Sequence, residues 1–312
     1  MTALASPISA IADDAYFFML KDYVIATTGL EYYAPRTQAL AEHVLGRMSA
    51  IGLSECREYW KLLQDDRRGE VELDQLIERL TIGETHFFRH RELFDTLRDA
   101  VLPEILNRNR ETKRIRVWSA GCSTGPEAYS VAILLRRELA AWTRDWNISI
   151  LGTDINRPFL AQASAGHYEE WSFRGTPPEL RRECFEKDGN AWRIASRFRE
   201  GVTFQYHNLA RHPFPSLMQN LAGFDLILCR NVLIYFAPEV VERIVSQFAE
   251  CLVPGGYLAI GHAEHGAKCL AMFDAMSSHG ATVYRKMRAG ERFSEAAPSG
   301  EFAPVADIQA FA

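Results

Sequence analysis

Two acidic residues, Glu127 and Asp154, each follow a short apolar run in a manner suited to holding a polar ligand. Ile115 to Trp118 is β-rich and ends in Ser119-Ala120-Gly121-Cys122-Ser123-Thr124-Gly125, after which Glu127 to Leu139 reads as a helix. Strand, glycine-containing loop and helix make the first unit of a nucleotide-binding α/β fold. The loop lets backbone approach a ligand, and the helix start offers unpaired N–H groups. Asp154 comes 33 residues after Gly121 and closes a second strand, Ile148 to Thr153. A carboxylate there can accept hydrogen bonds from ribose hydroxyls. The loop carries Gly121 and Gly125 but not G-x-G-x-x-G. It suits a ligand without phosphates, such as S-adenosylmethionine, better than a dinucleotide. Taken alone, the same loop also fits an ordinary strand-to-helix turn. No metal site is expected. The six cysteines form no C-x-x-C pair, and Gly261-His262-Ala263-Glu264-His265 lacks the H-E-x-x-H spacing.

The elements that must position these residues fall into two kinds. Ile11 to Val24, Arg36 to Ile51, Glu55 to Leu63 and Leu73 to Leu80 read as helices, with Gly29, Pro35, Gly52 and Asp65-Asp66 in the gaps. Beyond residue 112 strands alternate with helices. A helix over Arg157 to Ala165, a strand over Phe224 to Cys229, a helix over Val240 to Leu252 and a strand over Tyr257 to Gly261 continue the pattern. Alternation of this kind predicts a Rossmann-like, doubly wound α/β sheet. Residues 166–203 interrupt it, and the turn Asp188-Gly189-Asn190 predicts a small antiparallel β subdomain with a helix. The expected division is a helical domain over 1–80, a catalytic domain over 81–288 and a disordered tail over 289–312.

The formal net charge of -5 argues against nucleic acid as the main partner. The first eighty residues are acidic too, with 8 Lys+Arg against 13 Asp+Glu. Scattered single cysteines, no apparent signal peptide and no apolar run of membrane-spanning length lead to the expectation of a cytoplasmic protein without membrane insertion.

Seven segments, in order, resemble the chemotaxis methyltransferase family CheR. They are Thr85-His86-Phe87-Phe88-Arg89, Ser123 to Ser130 (STGPEAYS), Gly152-Thr153-Asp154-Ile155, Asn208-Leu209, Cys229 to Phe236 (CRNVLIYF), Pro254-Gly255-Gly256, and Gly261-His262-Ala263-Glu264. The resemblance runs over roughly residues 15 to 287. It implies S-adenosylmethionine as cofactor and S-adenosylhomocysteine as product. It further implies that Thr85 and Arg89 close over the cofactor, that Glu127 and Asp154 hold its amino group or ribose, and that Asn208 and Leu209 border the adenine. Gly121, Arg230 and Asn231 would line the pocket. Two departures stand out. Gly83 occupies a position where the family often has Asn, and Pro126 and Ala128 replace Glu and Pro of the commoner S-T-G-E-E-P-Y-S form.

The implied reaction is transfer of a methyl group to glutamate side chains on the cytoplasmic domain of methyl-accepting chemotaxis receptors. Arg89 and Tyr235 would align the carboxylate. Phe87 and Phe88 read as packing residues, whereas Tyr129 fits core and site equally. The helical domain would help dock the receptor, although Arg36, Arg47, Arg57 and Lys61 are interleaved with Glu31, Glu42, Glu55 and Glu58 as on a solvated mixed face. The short hairpin suggests an enzyme that works without a receptor C-terminal peptide tether. A non-catalytic cofactor-binding regulator and a methyltransferase acting on a small molecule are the alternatives.

Overall fold

The helical pattern near the N-terminus becomes four helices in the computed structural model, which describes residues 11–261, 268–287 and 300–301. These are α1 (Ala15–Thr28), α2 (Thr37–Ala50), α3 (Cys56–Leu63) and α4 (Arg68–Leu80). Asp14 caps α1 by accepting from the N–H groups of Tyr16 and Phe17, satisfying donors a helix start leaves open. Leu40, Val44 and Met48, spaced for one face of α2, are fully buried against Phe17, Leu20 and Tyr59. A buried ion pair, Arg47 to Glu72 at 2.7 Å, ties α2 to α4, and the Tyr59 hydroxyl donates to the same carboxylate.

Two helices absent from the sequence reading come next. They are α5 (Arg91–Thr96) and α6 (Leu102–Arg108), joined through one π-helical turn at Leu97–Val101. The sheet then begins with β1 (Arg114–Ala120), α7 (Pro126–Ile133), β2 (Asn147–Asp154) and α8 (Arg157–Ala165). Residues 166 onward build the expected small antiparallel sheet from β3 (His167–Tyr168), helix α9 (Pro178–Cys184), β4 (Phe185–Asp188) and β5 (Ala191–Ile194), in the order β3-β5-β4. The chain returns to the main sheet as β6 (Val202–Tyr206), so the interruption ends before residue 203. Then follow β7 (Phe224–Cys229), α10 (Pro238–Cys251), β8 (Leu252–Ile260), β9 (Phe273–Ser278), β10 (Ala281–Lys286) and β11 (Gly300–Glu301).

The main sheet runs β11-β9-β10-β8-β7-β1-β2-β6. From β8 to β6 every pairing is parallel, whereas β10 is antiparallel to both β8 and β9. Every residue of β7 is buried, as a strand covered by helices on both faces requires. Alternate side chains serve opposite cores. Ile115, Val117, Leu226 and Leu228 pack with α5, α6 and α7, while Trp118, Ala120, Ile227 and Cys229 pack with Ile244, Val245 and Phe248 of α10. The predicted doubly wound fold is thus present, with an antiparallel hairpin appended at one side. The expectation of a disordered tail over 289–312 falls outside the described residues, apart from Gly300 and Glu301, which pair in parallel with β9. Residues 262–264 of the last matching segment also lie outside them.

Candidate active site

From β1 the chain builds outward to β2 and β6 on one side and later to β7 and β8 on the other, so the strand order reverses at β1. Open α/β sheets bind ligands at the carboxyl ends of the strands at such a point. A cavity of about 1050 Å³, counting the part open to solvent, lies there. All ten residues singled out from the sequence line it: Thr85, Arg89, Gly121, Glu127, Asp154, Asn208, Leu209, Arg230, Asn231 and Tyr235. Gly121 is required by geometry. Its φ is +75°, and a Cβ would stand 2.3 Å from Val232 Cγ2.

One end of the cavity is charged. Arg230, only 4% exposed in its side chain, pairs with Glu127 at 3.0 Å. It also donates to the Arg89 carbonyl and meets the ring of His90, which fastens the Thr85–Arg89 segment to the end of β7. Ser119 donates to the other Glu127 oxygen at 2.7 Å. Arg174, from the small β subdomain, pairs with Glu84. Arg89 donates to the Glu84 carbonyl at 2.6 Å and has no carboxylate partner among the described residues. Burial and then the charge of Arg230 lower its pKa. His86 is pushed down to about 4, first by burial and then by Arg174 and Arg89.

Asp154 occupies the middle. Its two oxygens accept from the N–H groups of Ser123 at 2.8 Å and Asn156 at 2.9 Å. Burial raises its pKa, and these backbone bonds oppose the rise. Each oxygen keeps a lone pair for a diol. The amide of Asn156 reaches Thr81 at 2.7 Å, and Arg157 pairs with Asp74 at 2.8 Å, so the loop after β2 is braced against the helical region.

The other end carries no charged side chain among the described residues. Thr28 and Leu30, which no sequence motif marks, wall it together with His207, Asn208, Leu209 and Phe236. Gly29 makes the approach possible: with φ +80°, a Cβ would fall 2.3 Å from the Ala210 Cβ. Asn208 donates to the Thr27 carbonyl at 2.9 Å and accepts from the Ala210 N–H at 2.9 Å, so its side chain ties the wall together. Tyr235 lines the cavity and meets Tyr32 edge-on at 5.6 Å. At Gly83 the ring of Phe159 fills the space, and a Cβ there would lie 2.7 Å from it. Phe87 is fully buried in an aromatic cluster with Tyr168, Phe173 and Phe185. Tyr129 is core as well, its hydroxyl donating to the Ala163 carbonyl at 2.9 Å.

A ligand with charged groups at one end, a diol in the middle and a flat uncharged ring at the other matches this order of surfaces, and S-adenosylmethionine has that form. Among the described residues, Ser123 Oγ, His86 Nδ1 and both ring nitrogens of His207 are buried without a hydrogen-bond partner, a cost the folded chain carries near the cavity. Among the described residues no His, Cys, Asp and Glu grouping could hold a metal, and no helix is long and apolar enough to cross a membrane.

The buried His207 makes stability depend on pH. Burial pushes its pKa down to about 4 from 6.5, so the unfolded chain binds a proton that the folded one refuses. Its contribution is present above pH 6.5 and is lost as pH falls toward 4. Folding free energy at pH 5 is expected to be about 2 kcal/mol below that at pH 7 from this group. Denaturant melts at both pH values should show His207→Phe losing that much less than the wild type; equal losses contradict the assignment.

A model described as CheR methyltransferase, SAM binding domain matches residues 83–281. That span contains all ten of the singled-out residues. A probable chemotaxis protein methyltransferase of Rhizobium etli is 37% identical over 241 residues, 75% of this chain and 86% of the relative. A chemotaxis protein methyltransferase of Listeria monocytogenes is 37% identical over 66% of this chain and 73% of its own. Chemotaxis protein methyltransferase 2 of Vibrio cholerae is 30% identical over 284 residues, covering 90% of this chain and 96% of the relative.

Proposed function

Since the chain belongs to the CheR methyltransferase family, with S-adenosylmethionine as its cofactor, we propose that it esterifies glutamate side chains on the cytoplasmic domain of chemoreceptors. The observation that carries this reading is Arg89. Arg89 and Arg230 line the charged end and Arg174 is close enough to act on Arg89; Arg230 and Arg174 each have a glutamate and Arg89 has none among the described residues. A carboxylate entering beside the cofactor completes that set.

When bound, the cofactor supplies a methyl group activated by a cationic sulfur. A glutamate side chain is already anionic near pH 7, since its reference pKa is about 4.3, so the chain needs no general base. What it must do is strip water from the carboxylate and aim it. Arg89 takes one carboxylate oxygen and leaves the other to attack; a bidentate grip would blunt the nucleophile. Tyr235 borders the same space and shapes the approach. Glu127 and Asp154 receive the ammonium and the ribose, and Thr85 closes the near wall.

The sequence-based division into a helical domain over 1–80, a catalytic domain over 81–288 and a tail over 289–312 fits this role, with the helical domain and the β subdomain of about 166–203 docking the receptor. The β4–β5 hairpin has four residues per strand, and we read the enzyme as independent of a C-terminal receptor tether and as working in the cytoplasm.

Arg89→Met tests the reading. Losing a charge-assisted contact of about 1.5–3 kcal/mol should lower kcat/KM toward a receptor cytoplasmic fragment by roughly ten- to a hundredfold. Binding of S-adenosylhomocysteine, measured by calorimetry, should weaken as well, since Arg89 also closes over the cofactor, but by a smaller factor than kcat/KM. Unaltered kcat/KM would remove Arg89 from the acceptor site and the carboxylate reading with it.

A further inference from the structure

We propose that Trp171 is a specificity-determining residue of the acceptor site, taking an apolar side chain that lies close to the target glutamate in the substrate protein. The inference rests on the reading that a glutamate carboxylate enters beside Arg89, and it adds what the neighbours of that glutamate must be.

Trp171 is 68% exposed, yet it is firmly held. It belongs to a short 3-10 turn, Glu170–Phe173. Phe173 of the same turn is buried and stacks on Phe87 at 5.3 Å. The Ser172 carbonyl accepts from the Phe87 N–H at 3.0 Å. The Trp171 carbonyl accepts from Arg174 at 2.8 Å, and the same guanidinium lies 4.5 Å from the centroid of the Trp171 ring. The turn thus fixes an indole that the fold itself leaves in water. A side chain already fixed loses little freedom on taking a partner, and tryptophan and arginine are among the residues that carry most of the contact energy between proteins.

Its place is the acceptor side of the cavity. Arg174 pairs with Glu84, and Arg89 donates to the carbonyl of the same Glu84 at 2.6 Å. Both arginines therefore converge on one cavity-lining residue, and Trp171 stands one guanidinium away from it. Ile82, also on the cavity wall, is 57% exposed. Arg174 takes the Glu84 carboxylate, which leaves Arg89 for the target carboxylate and Trp171 and Ile82 as apolar surface beside it. A charged neighbour in the substrate would lose water against such a surface without gaining a partner, whereas an apolar one gains by burial.

The test uses the full chain and a receptor cytoplasmic fragment that the wild type esterifies, with the modified glutamate located by mass spectrometry. Trp171→Ala should raise KM for the fragment about tenfold or more, while kcat and the affinity for S-adenosylhomocysteine stay within about twofold. A purely structural role would instead lower kcat or the melting temperature. Trp171→Phe, which keeps an aromatic face, should recover most of the loss. Apolar residues of the fragment within about four positions of the modified glutamate are then changed to Ser in turn. One of these changes should raise KM about tenfold for the wild type and less than about twofold for Trp171→Ala. A Trp171→Ala enzyme whose KM stays within about twofold of the wild type, or a series in which no apolar residue couples to Trp171, overturns this role and leaves the carboxylate reading standing. A wild type that forms no base-labile methyl ester on any receptor fragment overturns the carboxylate reading and this inference with it.

Discussion

Asp154→Ala should weaken S-adenosylhomocysteine binding by about a hundredfold or more, because it removes a charged acceptor for two hydroxyls at roughly 1.5–3 kcal/mol each. The effect has a second source in the fold. The carboxylate holds the Ser123 and Asn156 N–H groups, so its loss also releases the loop after β1 from the loop after β2. Calorimetric titration measures the affinity, and the melting temperature separates the two sources. A folded Asp154→Ala protein that binds within fivefold of the wild type would move the ribose elsewhere.

Arg230→Met should cost about 3–5 kcal/mol of folding stability, the usual consequence of leaving a buried charge without its partner. Glu127, 13% exposed, would lose its arginine. The Arg89 carbonyl and the His90 ring would lose their donor at the same time. This loosening should reach the acceptor site, because Arg89 is positioned through that backbone bond. The double variant Arg230→Met/Glu127→Gln should recover part of the stability in urea melts, since no charge is then stranded, without recovering methyl transfer. A single variant as stable as the wild type would show that the pair contributes nothing to the fold.

The cavity-lining residues that the sequence singled out lie where local chemistry and strand ends coincide. Gly121 precedes a helix, Asp154 closes a strand, and Arg230 and Asn231 follow the all-buried β7. Strand periodicity and turn residues are properties of neighbours in the chain, so they can be read locally. The four N-terminal helices were legible for the same reason. What escaped was set by distant contacts. Thr28 and Leu30 reach the cavity because Gly29 packs on Ala210, 181 residues away, and nothing in the surrounding α1 sequence announces this. Strand β6 was missed because its Val-Thr-Phe-Gln-Tyr pattern is half-exposed at a sheet edge. The β9–β10 hairpin was missed because Phe273 to Lys286 alternates too weakly to stand out.

The family resemblance singled out Arg89 and Tyr235 where periodicity could not, since an arginine outside any regular element is usually a solvated charge. The structure adds the contrast that the sequence lacks. Of the three neighbouring arginines, Arg174 and Arg230 are paired, and Arg89 has no carboxylate partner among the described residues.

The central claim is that the group beside the cofactor is a carboxylate, and the bond formed decides it. Receptor cytoplasmic fragments incubated with this enzyme and cofactor carrying a labelled methyl group should acquire label that mild base releases as methanol. Label that survives the base treatment would place the methyl on nitrogen or carbon and contradict the account.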